Sequence, residues 1–199
     1  MRKQEKKELE GALLLIFIKM HKELYQTIEI PEGVEVNIDG TKINISGREG
    51  KIEREFDLTN LILEKRGNEV IIGNKKATRK EKRRMNTIAA HIKNMIKGVQ
   101  KKFEYKLKVC FSHFPITVEV KGNEVSIKNF LGERVPRKIK IPFGVDIKVE
   151  KDIITVSSPN IELAGQVAAN LENITRISMR DRRVFQDGIF IISKVGEEI

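Results

Sequence analysis

The chain has 199 residues, of which 40% are hydrophobic and 33% charged without low-complexity runs, a composition that excludes a disordered tail. That length suits two domains of about 80 to 90 residues, each folding around its own core. A single cysteine, Cys110, excludes an intramolecular disulfide and a cysteine-rich metal site, and makes a reducing, cytoplasmic setting the default.

The net charge of +10 is unevenly spread. Residues 1–28 carry 6 Lys and Arg against 4 Asp and Glu, residues 29–108 carry 19 against 12, and residues 109–199 carry 13 against 12. Segregated basic runs on such a chain point to a polyanion partner, nucleic acid above all, although any one run alone describes only a solvated face.

In chain order, Met1–Lys7 is basic and Ala12–Ile18 is apolar, a superficial likeness to a secretory signal. Lys19 and His21 interrupt it, no small-residue cleavage site follows, and it is far short of the roughly 20 residues that span a bilayer, so no membrane role is expected. Two readings of this stretch stand: a helix over residues 5–20 laid against the first domain, or an upstream extension that the functional protein does not use, its start being Met20. The second is favoured.

The chain then repeats itself. Ile30-Pro31, Val34-Glu35-Val36, Gly40 and Ile43-Asn44-Ile45 are echoed by Phe114-Pro115, Val118-Glu119-Val120, Gly122 and Val125-Ser126-Ile127. Further on, Ile88-Ala89-Ala90-His91-Ile92-Lys93-Asn94-Met95 aligns with Val167-Ala168-Ala169-Asn170-Leu171-Glu172-Asn173-Ile174. A repeat of strand, turn, strand and helix means two tandem copies of one small domain. The predicted layout is an N-terminal extension over 1–24, a first α+β domain over 25–103 and a second over 104–199. Each is a small, mostly antiparallel sheet on one long helix.

In the first copy, strands are predicted near 34–38, 42–46, 51–56, 60–65 and 69–73, with a tight hairpin at Asp39-Gly40. A helix is predicted over 78–97, its stripe being Met85, Ile88, Ala89, Ile92, Met95, Ile96 and Val99, with Gly98 as its stop. Its opening holds Lys75, Lys76, Arg79, Lys80, Lys82, Arg83 and Arg84 against Glu81 alone. Cations there oppose the helix dipole, so an external anion such as phosphate is their natural partner.

The second copy predicts strands near 116–121, 124–128, 135–141, 145–150 and 153–157. A helix from Ser158-Pro159-Asn160 follows, with Leu163, Val167, Leu171 and Ile174 buried. Basic residues gather at Lys128, Arg134, Arg137, Lys138 and Lys140, and again at Arg176, Arg180, Arg182 and Arg183. Asp187-Gly188 is read as a turn before a short strand over 189–192.

Nothing in the sequence spells catalysis. His21, His91 and His113 lack partners at catalytic or metal-ligand spacing, and no phosphate loop, nucleophile elbow or dinucleotide fingerprint occurs. No metal, cofactor or enzymatic activity is expected. With 9 Phe, 2 Tyr and no Trp, most of them at alternating or core-like positions, recognition of RNA shape and backbone is favoured over base reading.

Five ordered runs carry a resemblance: Asn94-Met95-Ile96-Lys97-Gly98-Val99, His113-Phe114-Pro115-Ile116, Asn129-Phe130-Leu131-Gly132-Glu133, Gly165-Gln166-Val167-Ala168-Ala169 and Arg180 through Ile189. Over about residues 25–194 the chain resembles large-subunit ribosomal protein six in its archaeal and eukaryotic form. The resemblance implies a duplicated α+β protein, a structural constituent of the large subunit. It would bind large-subunit rRNA near the factor-binding centre, by the sarcin–ricin loop and stalk base, mainly through its C-terminal domain. Neighbouring ribosomal proteins are implied as partners, and translation factors by proximity only.

Matched to those runs, the expected rRNA contacts are Lys128, Asn129, Arg134, Arg137, Lys138, Arg176, Arg180, Arg182 and Arg183. Lys75, Lys76, Arg79 and Arg83 of the first copy join them from the residue pattern. Phe185, Asp187 and Gly188 are expected to shape the tail. The competing readings are a non-ribosomal structured-RNA or DNA binder and a small RNA-processing hydrolase. Family members commonly start near the position of Tyr25, so the intact mass of protein from its natural source is expected to match a start at Met20.

Overall fold

The computed structural model describes residues 22–181 and 183–198, so the predictions for residues 1–21 and for Arg182 lie outside the described residues. The chain divides into two units, the first ending at Ile96 and the second beginning at Lys97.

The first unit contains β1 (Lys22–Glu29), β2 (Glu35–Asp39), β3 (Lys42–Gly47), β4 (Gly50–Glu55), β5 (Ile62–Arg66), β6 (Glu69–Ala77) and most of α1 (Arg79–Gln100). Its strands form two antiparallel three-stranded sheets, ordered β2-β3-β4 and β1-β6-β5. The period-two pattern of Lys42-Ile43-Asn44-Ile45-Ser46 is realised as expected, with Ile43 and Ile45 fully buried. The predicted α1 stripe is buried throughout.

The second unit contains β7 (Phe103–Cys110), β8 (Thr117–Lys121), β9 (Glu124–Lys128), a 3₁₀ turn (Phe130–Gly132), β10 (Arg137–Lys140), β11 (Asp146–Glu150), β12 (Ile153–Ser158), α2 (Ile161–Ile174), β13 (Gly188–Lys194) and β14 (Glu197–Glu198). The duplication holds at the level of topology. β8, β9 and β10 reproduce β2, β3 and β4, while β7-β12-β11 reproduces β1-β6-β5. The unrepeated segment after α2 adds β13 to the other side of β7, so β7 becomes the centre of a five-stranded sheet ordered β11-β12-β7-β13-β14. Leu107, Val109, Val125, Ile127, Phe130, Ile154, Val156, Val167, Leu171 and Ile189 make the core beneath α2.

Several local expectations are corrected. The first hairpin loop is Gly40-Thr41, because Asp39 pairs with Lys42, and only Gly40 (φ 61°) has positive φ. Gly122 (φ 58°) repeats this in the second copy, and a glycine at the first loop position fits a type II′ turn in both. α1 does not stop at Gly98. It runs to Gln100, and within the second unit a Cβ on Gly98 would lie 1.9 Å from the Pro159 carbonyl oxygen, so close packing explains the glycine. On α2, Leu163 and Ile174 are only half-buried, while Ala164 and Ala168 are fully buried, because small residues let the helix approach the sheet. β1 carries no clear alternation in Lys22–Glu29 and was not placed by sequence; its pairing with β6 supplies the strand.

Ile43→Ala removes a fully buried side chain and is expected to cost about 2–5 kcal/mol in a denaturant titration, whereas Lys42→Ala on the wet face should stay within about 0.5 kcal/mol.

Candidate nucleic-acid interface

Two stretches far apart in sequence, one beginning at Asn129 and one ending at Asp187, border the same turn in the second unit. The turn after β7, residues 111–116, joins them. On one side of it, Asn129 adopts a left-handed conformation (φ 59°) and its Nδ2 donates to the Pro115 carbonyl at 3.0 Å. The Phe114 ring lies 3.4 Å from where a Cβ on Gly132 would stand, and Gly132 itself has φ 78°. The positive φ favours glycine there, and a Cβ would meet the ring only at ordinary van der Waals distance.

On the other side of the turn stands Asp187, only 3% exposed. Its carboxylate accepts from the backbone N–H of Ser112 and of His113, the latter at 3.4 Å, from Ser112 Oγ at 3.2 Å, and from His113 Nδ1 at 2.5 Å. Since a carboxylate only accepts, His113 carries its proton on Nδ1. Burial pushes the Asp187 carboxyl upward, but the converging Ser112 and His113 donors outweigh it and hold the group below its ordinary value. The predicted Asp187-Gly188 turn is therefore a buried anchor followed directly by β13, with Gly188 opposite Cys110. His113 also stacks on Phe185, centroids 4.7 Å apart, so the anchor fixes the tail's aromatic residue as well.

Arg137 closes the arrangement. It grips Glu133 in a bidentate pair, Nη2–Oε1 2.6 Å and Nε–Oε2 2.8 Å, and lies 4.3 Å over the Phe130 ring. A third donor, Nη1, bonds the Ile174 carbonyl at the C-terminus of α2, where a cation also complements the helix dipole. The hydrogen bonds from Arg137 hold the Glu133 carboxyl below its ordinary value against partial burial. Thr175, buried, then ties α2 to β13 by accepting from Ile189 N at 2.9 Å and donating to Glu172 O at 3.0 Å.

The predicted contact residues thus sort into different roles. Arg134, Arg176, Arg180 and Arg183 are exposed and pair with no carboxylate among the described residues. Arg180 lies over the Phe185 ring at 4.7 Å, and the Asp181 side chain caps the Arg183 backbone N–H at 2.9 Å. Arg137 and Asn129 are committed internally. Lys128 pairs with Glu119 at 2.6 Å and Lys138 with Glu124 at 3.1 Å on the outer face of the β8-β9-β10 sheet, and Lys121 shares Glu119. Such exposed pairs are weak, so these lysines can exchange partners, but they are not standing free.

In the first unit, Lys75, Arg79 and Arg83 are exposed around the start of α1, and Lys76 lies at the end of β6. Glu81, the single acid among those cations, forms a capping box: its carboxylate accepts from Thr78 N at 3.0 Å and from the Thr78 hydroxyl, while Thr78 Oγ1 accepts from Lys80 N at 3.3 Å. These bonds hold Glu81 ionised below its ordinary value. Arg84 bonds the Thr59 carbonyl at 3.2 Å and approaches Asp57 at 3.5 Å.

Sequence reasoning missed the aromatic component. Phe111, Phe114, Phe143 and Phe190 are exposed, while Phe56, Phe103 and Phe130 occupy cores. Phe111 follows the last residue of β7, where alternation no longer assigns a face, and Phe190 points away from the α2 core on a strand the repeat does not contain.

Ser112, His113 and Asp187 name a familiar catalytic set, but both the serine hydroxyl (3.1 Å) and the aspartate approach the same imidazole nitrogen, Nδ1. General-base activation needs the serine on the nitrogen opposite the aspartate, so this cluster is an anchor. No group of three or more His, Cys, Asp or Glu among the described residues could hold a metal ion, and no helix there is long and apolar enough to cross a membrane.

The two copies are thus one duplicated α+β scaffold, and the second carries exposed arginines that pair with no carboxylate among the described residues. The model for "Ribosomal protein L6" matches residues 30–102 and 114–188, one match in each copy, and the chain belongs to that family. It is 44% identical over 178 residues to large ribosomal subunit protein uL6 of Sulfurisphaera tokodaii, covering 88% of this chain and 96% of the relative. The protein of the same name from Staphylothermus marinus is 49% identical over 181 residues, covering 88% and 97%. That from Methanobrevibacter smithii is 44% identical over 169 residues, covering 85% and 95%.

Because the folded Asp187 carboxyl is held low, its contribution to stability is present above the ordinary aspartate range and lost as pH falls through the lowered value. Denaturation midpoints are expected to fall below about pH 4 in the native chain. Asp187→Asn should be less stable at pH 7 and show a smaller acid-induced loss.

Proposed function

We propose that this chain is a structural constituent of the large ribosomal subunit, without catalytic activity, that binds large-subunit rRNA through the exposed arginines at the 111–116 end of its second unit. The observation that carries this reading is that Arg134, Arg176, Arg180 and Arg183 are exposed and pair with no carboxylate among the described residues, on segments next to the Arg137 and Asp187 anchors. Family membership supplies the particle. Its location on the particle, near the factor-binding centre by the sarcin–ricin loop and stalk base, follows from the family resemblance. Neighbouring ribosomal proteins are then its other partners, translation factors approach by proximity, and its place is in cytoplasmic ribosomes.

The proposed division of labour is specific. Arg134, Arg176, Arg180 and Arg183 contact phosphates, Arg182 lies in the same tail sequence, and Lys128 and Lys138 flank them from the sheet. Asn129 and Arg137 position the loop. Lys75, Lys76, Arg79 and Arg83 form a separate contact on the first unit, where the capping box engages Glu81, the one acid of that stretch.

A generic RNA or DNA binder loses affinity steeply as salt rises, because its contacts are mainly counter-ion exchange. Co-sedimentation with the large subunit that survives high salt is therefore expected here. Arg183→Glu should weaken rRNA association by at least about 1 kcal/mol with an unchanged thermal midpoint. Unchanged association by a folded Arg183→Glu protein would refute the tail assignment, and RNA turnover abolished by replacing one carboxylate would establish the hydrolase instead.

A further inference from the structure

Beside the arginine tail, the ends of β7 and α2 and the start of β13 enclose a cleft of about 760 Å³. That lies within the roughly 300–1,000 Å³ typical of clefts that bury a ligand of nucleotide size. Two of its lining residues are Phe111 and Phe190, 45% and 42% exposed. Phe185 also lines it, but His113 and Arg180 already stack on that ring, which leaves Phe111 and Phe190 as the uncommitted aromatic surfaces.

The polar lining is equally selective. Asn173 and Gln186 are exposed amides that offer donors and an acceptor, although Gln186 Nε2 also donates to the Arg183 carbonyl at 3.5 Å, and Arg176 is a cation with no carboxylate partner among the described residues. Glu172 adds an acceptor that suits base N–H groups and repels phosphate from its own side. Flat apolar surface, amides and one guanidinium together match a nucleobase with its phosphate, whereas a phosphate alone would need neither ring nor amide.

We propose that this cleft takes one everted, unpaired nucleotide of the RNA that the second unit binds. The base stacks on Phe111 or Phe190, its edge meets Asn173 and Gln186, and its phosphate faces Arg176. This rests on the rRNA-binding reading above and adds base capture to what the sequence suggested was recognition of shape.

The test is chemical probing of base edges in large subunits carrying the native chain, the Phe111→Leu/Phe190→Leu pair, or the Phe111→Tyr/Phe190→Tyr pair. Leucine keeps apolar bulk without a π-face, and tyrosine keeps the ring. One loop or bulge nucleotide protected by the native chain is expected to become at least about tenfold more reactive with the leucine pair, in line with the stacking energy of one base. It should stay protected with the tyrosine pair. Should the leucine pair not fold, Phe111→Leu alone carries the same comparison.

Identical reactivity with phenylalanine and leucine, in particles that retain the protein, would overturn the proposal while leaving the rRNA reading intact. Saturable binding of free AMP by the isolated chain, with no probed nucleotide responding, would overturn it in favour of a free nucleotide. Failure of the native chain to co-sediment with the large subunit would overturn both.

Discussion

A buried carboxylate organises one end of the second unit. Removing an ionised group from water is costly unless donors replace the lost hydration, and at Asp187 the replacements are two backbone N–H groups, a hydroxyl and an imidazole N–H, all from Ser112 and His113. The bond set therefore does two things at once. It satisfies the charge, and it fixes the chain about 75 residues upstream against the start of β13. Thr175, the packing of Ile177 on the core and the Phe185–His113 stack hold the rest of the segment between α2 and β13.

Arg137 plays the matching part from the opposite segment. Its guanidinium spends its donors on Glu133 and the α2 terminus, and its face on Phe130. Three of its five N–H donors are thus engaged inside the protein, which leaves two for any external acceptor. The lysines on the outer face of β8-β9-β10 show a milder version of the same economy, since Glu119 and Glu124 neutralise much of that surface. Net charge overstates the number of cations available to a ligand, and the exposed arginines of loop and tail are among those that pair with no carboxylate within the described residues.

The unrepeated segment also explains why two copies of one scaffold differ in what they present. β1 and β7 hold equivalent places, yet β13 pairs with β7 and returns the chain to the sheet after the tail. The aromatic and arginine surfaces follow from that extra strand. In the first unit the cations instead surround a capped helix start, a simpler arrangement with no aromatic lining described beside it.

Much of the scaffold was legible in the sequence because it rests on local rules. Alternation at Ile43 and Ile45 or Val125 and Ile127, the α1 stripe and the glycines of two equivalent hairpins each express a geometric period or a single backbone angle. The basic segments were legible too, as composition. What sequence could not assign was which cations are already engaged, that Asp187 is buried, or that Phe111 and Phe190 face outward. Those depend on partners up to 75 positions distant, and no local period encodes a distant partner. The sequence by itself determined two α+β copies and the charge they carry; the tertiary structure alone decided which of those charges remain free, because ion pairing and burial are settled only when remote segments meet.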